Sequence, residues 1–247
     1  MAENNAEKII VALDVDTRQK ALELVRRLPS ARCYKIGLRL YTAEGPGFIQ
    51  EIAQMGKRIF LDLKFHDIPN TVAGAVKAAV DLGVDMMTLH ASGGVEMMAR
   101  AVGEAAEETE KKKMKRPHLL AVTILTSLQD SDLKKMNIPS SPMDMVLTLA
   151  SLAQEAGMDG IVCSPKEIPA VRKQAGPGFK IVTPGIRPAW ASAGDQKRIL
   201  TPAEAVRSGS DYLVVGRPVI RAPSPEEALE KIIQELDVKK PGNQRRQ

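Results

Sequence analysis

Arg58-Ile-Phe-Leu-Asp-Leu-Lys-Phe-His-Asp-Ile-Pro-Asn-Thr71 opens on a short apolar run, passes through a turn, and leads into helical spacing over Thr71–Leu82. A strand followed by an amphipathic helix is half of a parallel βα unit. The same alternation covers almost the whole chain. Strand-like runs are Lys8–Leu13, Cys33–Gly37, Arg58–Leu63, Met86–Leu89, His118–Ile124, Gly160–Cys163, Lys180–Thr183 and Tyr212–Val215. Between and after them the spacing predicts helices over Thr17–Leu28, Gly47–Met55, Thr71–Leu82, Val95–Lys113, Met143–Ala156, Pro165–Gln174, Pro202–Ser208 and Pro225–Leu236.

Punctuation agrees with this reading. Ser164-Pro165, Thr201-Pro202 and Ser224-Pro225 each read as a cap followed by proline in the first helical turn. Gly56, Gly83, Gly157 and Gly209 each fall just after a helix, where a left-handed residue is wanted. Eight such units in 247 residues predict an α/β chain folded as a single (β/α)₈ TIM barrel. The open doubly wound sheet is the alternative. It usually carries a glycine-rich turn after the first strand, but that turn here reads Leu13-Asp-Val-Asp-Thr17. Residues 1–7 read as a polar N-terminal segment, 8–237 as the barrel, and 238–247 as a basic tail expected to be solvated and disordered.

A content of 44% hydrophobic and 26% charged residues excludes a disordered or fibrous chain. The net charge of +5 could point to nucleic acid, but Lys239, Lys240, Arg245 and Arg246 lie in the acid-free tail. Without those four the balance falls to +1. Aromatics are only 3%, so no stacking platform is expected and no nucleic-acid partner. No apolar run approaches the roughly 18 residues that span a membrane. Cys33 and Cys163 sit in apolar runs and read as reduced core thiols, so a cytoplasmic location is expected.

Barrel enzymes place their chemistry at the carboxyl ends of the strands. Asp14 ends the first run, Lys35 lies in the second, Asp62 and Lys64 lie in the third, and Asp67 follows in its loop. Charges within apolar strands are costly unless paired or functional. Two residues apart on a strand, Asp62 and Lys64 should project to the same side. These five predict an alternating charge array at one barrel mouth, with a plain salt-bridge lattice as the structural alternative. His66, His90 and His118 lack metal-ligand spacing, so no metal is expected. A structural hydrogen bond is expected for His90, and His66 is read as pointing outward. No Gly-x-Ser-x-Gly elbow surrounds Ser127 or Ser164, so serine hydrolysis is not indicated. Trp190 is a candidate lid residue.

Asp62-Leu-Lys-Phe-His-Asp-Ile-Pro-Asn-Thr71 resembles the signature of orotidine 5′-phosphate decarboxylases. Leu125-Thr-Ser127, Thr183-Pro-Gly-Ile-Arg-Pro188 with Gly194-Asp-Gln-Lys-Arg198, and Leu213-Val-Val-Gly-Arg-Pro218 resemble the bacterial form in order and spacing, from about residue 8 to residue 236. The resemblance implies cofactor-independent decarboxylation of orotidine 5′-phosphate to UMP, the last step of de novo pyrimidine nucleotide synthesis. It implies that Asp14 and Lys35 bind the ribose hydroxyls, that Asp62 lies beside the substrate carboxylate, and that Lys64 is the cationic centre and proton donor. Asp67 and Thr71 would reach across a homodimer interface into a shared site. Thr126 and Ser127 would meet the pyrimidine, and Ile68 and Pro184 would join the substrate-binding set. Arg187, Gln196, Gly216 and Arg217 would hold the phosphate, under a lid formed by the loop after the seventh strand.

Physical chemistry supports these roles. Loss of CO₂ from C6 leaves a carbanion that no adjacent carbonyl delocalises, and a fixed ammonium both stabilises it and supplies the proton. Anionic neighbours Asp62 and Asp67 would favour an ammonium over a free amine. Two alternatives stay open. One is a lyase similar to the Mg²⁺-dependent 3-keto-gulonate 6-phosphate decarboxylases, which place an acidic metal ligand where this chain has Lys35. The other is a non-catalytic nucleotide-phosphate-binding module, which would keep Arg217 and Gln196 without needing Asp62 and Lys64.

Overall fold

The computed structural model describes residues 5–191 and 200–237. Eight strands follow one another around a closed parallel barrel: β1 (Ile9–Ala12), β2 (Cys33–Gly37), β3 (Arg58–Phe65), β4 (Met86–His90), β5 (His118–Val122), β6 (Gly160–Val162), β7 (Lys180–Thr183) and β8 (Tyr212–Val215). β8 pairs with β1 through Ile9–Leu213, Ile10–Val214 and Val11–Val215, which closes the ring and removes any free sheet edge. The (β/α)₈ barrel expected from the alternation is therefore the fold.

Helices surround the ring: α1 (Arg18–Arg27), α2 (Leu38–Glu44), α3 (Pro46–Gln54), α4 (Pro69–Asp81), α5 (Gly94–Lys112), α6 (Asp130–Lys135), α7 (Pro142–Glu155), α8 (Ile168–Ala175), α9 (Pro202–Ser208), α10 (Arg217–Ile220) and α11 (Pro225–Asp237). Each of the expected helices is present within a few residues of its predicted bounds. Three short ones, α2, α6 and α10, lie where the sequence reading left loops. At four to seven residues they are too short to show a helical period. Thr201 caps α9 as expected, in a reciprocal pair with Glu204, and α11 begins at Pro225 after Ser224. Ser164 does not cap α8. Its amide donates to the Glu167 carboxylate at 2.7 Å, which ties residues 164–167 into a turn, and Pro169 rather than Pro165 sits in the first helical turn. Gly56, Gly83, Gly157 and Gly209 all take positive φ at helix ends, as expected.

Alternation along the strands sorts the core into two shells. Outward residues such as Val11, Tyr34, Ile36, Ile59, Leu61, Met87 and Leu89 pack beneath the helices. Inward residues Ile10, Ala12, Cys33, Phe60, Met86, Leu120, Val182 and Val214 fill the barrel, as bulky layers do in this architecture. Truncating Phe60, 1% exposed, to alanine would cost about 3–5 kcal/mol. Cys33 and Cys163 are both free and buried; burial pushes the Cys33 thiol up to about 12.

The amino-terminal face uses a repeated device. Asp85, Asp159 and Asp211 stand immediately before β4, β6 and β8, and each accepts a backbone amide from the preceding strand: Ile59 at 2.9 Å, Leu119 at 2.8 Å and Ile181 at 2.8 Å. Arg116 grips Asp159 at 2.8 Å and Arg172 grips Asp211 at 2.6 Å. His118, the first residue of β5, lies at this same face, 3.9 Å from Asp159. A 3₁₀ turn over Asn5–Lys8 leads into β1, and Asn5 Nδ2 donates to Asp237 Oδ1 at 2.6 Å. Among the described residues no helix is long and apolar enough to cross a membrane.

Candidate active site

The inward rows that fill the barrel turn polar one layer higher, toward the carboxyl ends. Two residues beyond Ala12 comes Asp14, beyond Cys33 Lys35, beyond Phe60 Asp62, and beyond Met86 Thr88. Side chains alternate along a strand, so the layer that follows the apolar plug faces the same axis. A chain of charges of alternating sign results. Lys35 Nζ lies 3.1 Å from Asp14 Oδ1 and 3.6 Å from Asp62 Oδ2, and Lys64 Nζ donates to Asp62 Oδ1 at 2.8 Å.

The Lys64 backbone is not that of a regular strand. Its φ is +54°, in the left-handed region that side chains with a Cβ rarely adopt, and the β3–β4 register shifts between Leu61 and Phe65. The charge pair expected from simple alternation forms, but through a bulge. Thr88, fully buried, stands at that bulge. Its Oγ1 accepts the Lys64 amide at 2.9 Å and donates to Asp62 Oδ1 at 3.0 Å. The sequence reading missed this residue, because a lone threonine in a strand reads as ordinary β propensity. The available signal was its place, two residues beyond Met86 on the inward row.

Burial would push the Asp62 carboxyl upward. The Lys35 and Lys64 ammonium groups, with hydrogen bonds from Lys64 and Thr88, outweigh that effect and hold it below the usual carboxylate range. Among the described residues, His90 finds no partner for the expected structural hydrogen bond. Its ring lies 5.2 Å from that of His66, tilted by 34°, and burial together with the His66 and Lys64 charges holds the imidazole below its ordinary value. His66 is exposed, as predicted. Gly37, at the end of β2, leaves room for the Lys35 ammonium: a Cβ there would stand 2.9 Å from Lys35 Nζ.

The remaining predicted residues that the structure describes lie around the same mouth. Asp67 is exposed and accepts the amide of Ile68 at 2.6 Å; within one chain it makes no ion pair with Lys64. Ile68 is 67% exposed, and Thr71 is exposed on the first turn of α4. Thr126 and Ser127 lie exposed in the loop after β5, and Pro184 follows β7. Across the barrel, Arg187 and Arg217 line one open pocket of about 470 Å³ with Trp190 and Arg221. Gly216, after β8, packs against β1: a Cβ there would lie 3.5 Å from both Ala12 Cβ and Asp14 Oδ2. Gln196 and the rest of the 194–198 landmark lie outside the described residues, as does the basic tail. The described residues assemble no group of three or more His, Cys, Asp or Glu side chains placed for a metal ion.

Residues 7–232 match the family described as Orotidine 5′-phosphate decarboxylase / HUMPS. Curated relatives named orotidine 5′-phosphate decarboxylase include one from Pseudoalteromonas translucida, 47% identical over 94% of this chain and 98% of its own length. Another, from Actinobacillus succinogenes, is 50% identical over 91% of this chain and 96% of its own. Among solved structures, orotidine 5′-phosphate decarboxylase from Lactobacillus acidophilus superposes with a TM-score of 0.84 at 39% identity, covering 93% of this chain and 99% of that one. Fold, charge array and near-complete coverage agree, and the chain belongs to the orotidine 5′-phosphate decarboxylase / HUMPS family.

Proposed function

We propose that this chain is a carbon–carbon lyase that decarboxylates orotidine 5′-phosphate to UMP and CO₂ without a cofactor, the closing step of pyrimidine nucleotide synthesis. The observation that carries the reading is the run Asp14–Lys35–Asp62–Lys64, set directly above the apolar barrel plug. The C6–carboxylate bond breaks, the electron pair stays on C6, and Lys64 Nζ stabilises that charge and then transfers a proton to it. Asp62 orients the ammonium at 2.8 Å and faces the departing carboxylate. Lys35 and Asp14 take the ribose hydroxyls, while Thr126, Ser127, Ile68 and Pro184 border the base. Arg187, Arg217, Gly216 and Gln196 hold the phosphate, beside a half-exposed Trp190. Phosphate binding positions the base, so removing the phosphate costs turnover as well as affinity.

The active unit is a homodimer with shared sites. Asp67 and Thr71 are exposed, and Leu38, Ile68 and Leu125 place apolar surface beyond the ends of β2, β3 and β5 on the same mouth. A second copy would cover that surface and carry Asp67 and Thr71 to the neighbouring Lys64.

The test is the fall in absorbance at the orotate band when orotidine 5′-phosphate is added, with and without EDTA. Loss of signal in both supports the proposal. Loss only without EDTA points to the Mg²⁺-dependent relatives, which the contact of Asp62 with two ammonium groups disfavours, since a divalent cation would have to compete with them. Binding without turnover points to a phosphate-binding module and overturns the reading.

A further inference from the structure

We infer that Thr88 is a positioning residue: its buried hydroxyl holds Lys64 in its left-handed backbone conformation and aims Asp62, so that the Lys64 ammonium stands at the barrel axis. The inference rests on the decarboxylase reading for its kinetic consequence and on geometry for its structural one.

The direction of both hydrogen bonds is fixed by chemistry. The Lys64 amide can only donate, so Thr88 Oγ1 must accept it at 2.9 Å, and the hydroxyl proton is left for Asp62 Oδ1 at 3.0 Å. One side chain therefore bridges the backbone of the proposed proton donor and the carboxylate beside it. Asp62 Oδ1 then receives two donors, Lys64 Nζ and Thr88, while Oδ2 is turned toward Lys35 at 3.6 Å. A regular β3 would satisfy the Lys64 amide through the ladder with β4, but the register shift there removes that partner. Thr88 supplies the replacement acceptor. A strained φ persists only when surrounding contacts over-determine it, and this contact holds the backbone amide of the strained residue itself.

The groups facing Asp62 are Lys64 on its own strand, Lys35 from β2 with Asp14 of β1 beyond it, and His90 together with Thr88 from β4. Of these, Thr88 and Lys64 alone donate to the oxygen nearest the amine. Removing the Thr88 hydroxyl withdraws a neutral donor from the charged form of Asp62, which raises its proton affinity without changing any net charge.

Thr88→Val keeps the shape and removes the hydroxyl; Thr88→Ser keeps the hydroxyl. With orotidine 5′-phosphate, the valine variant should lose about ten- to a hundredfold in kcat with KM nearly unchanged, as expected for a misaimed reacting group. The acidic limb of its kcat/KM profile should move to higher pH, and serine should restore both. Ligand-free protein labelled with ¹³C at aspartate carboxyls gives a second reading: the Asp62 titration midpoint should rise in the valine variant and return in the serine one. A folded valine variant with unchanged kcat and an unmoved Asp62 titration overturns the inference. If the unaltered protein fails to turn over orotidine 5′-phosphate, the decarboxylase reading fails, while the carboxyl titration still decides the role of Thr88. Should valine unfold the protein, Thr88→Ala and Thr88→Cys are read by the same two measurements.

Discussion

Lys64 reaches Asp62 across 2.8 Å from a backbone held at φ +54°, so the amine central to the proposed chemistry sits on a strained residue. Lys64→Ala should abolish turnover, by about 10⁴-fold or more, since it removes both the charge and the proton donor. Lys64→Gly should be equally inactive but more stable than Lys64→Ala by up to about 1 kcal/mol, because glycine adopts positive φ without a Cβ clash. Thermal melts of the two variants check the second statement, and orotidine 5′-phosphate turnover checks the first.

Asp67 is exposed within one chain, and its proposed partner lies in a second copy. Asp67→Asn and Lys64→Ala, each nearly inactive alone, should recover activity when co-refolded. Random pairing across a two-fold interface gives about a quarter of the wild-type sites. No recovery, with mixed dimers shown by mass, would refute the shared site.

Gly37 leaves room for the Lys35 ammonium. Its φ of −98° suits any residue, so Gly37→Ala meets only the end of a flexible side chain. Stability should change by less than about 0.5 kcal/mol, while kcat/KM should fall about tenfold as Lys35 shifts away from Asp14 and Asp62. An unchanged kcat/KM would show that Lys35 tolerates displacement.

The opposite face should respond in the opposite way. Asp159 is partly buried; burial pushes its carboxyl upward, but the nearby His118 imidazole together with hydrogen bonds from Arg116 and the Leu119 amide outweighs this and holds it below its ordinary value. A depressed carboxylate contributes stability that is fully present above the unfolded value near 3.9 and is lost as pH falls through the folded value. Asp159→Asn should therefore cost about 2 kcal/mol at pH 7, with the gap to wild type narrowing below about pH 4. Its kcat should be unchanged. Melting curves from pH 3 to 7 decide the matter.

The charge array was legible because ionisable residues inside apolar strands have few structural explanations. Asp14, Lys35, Asp62 and Lys64 advertise themselves in this way, and the period of two places them on one axis. Thr88 and the bulge at Lys64 were not legible, since the first is chemically ordinary in a strand and the second depends on a cross-strand hydrogen bond. The same holds for Asp85, Asp159 and Asp211: an aspartate before a strand reads as a turn residue until the neighbouring amide is seen. Ser164 shows the converse error, where a cap-like Ser-Pro pair was outcompeted by the Glu167 carboxylate three residues on.

Because β8 zips onto β1 and Asn5 bonds Asp237, the order in which the eight units are joined is arbitrary to the finished ring. A peptide bridge from residue 237 back to residue 5, with new ends opened between Lys113 and Lys115 on the face away from Lys64, would give a circularly permuted chain with every strand pairing retained.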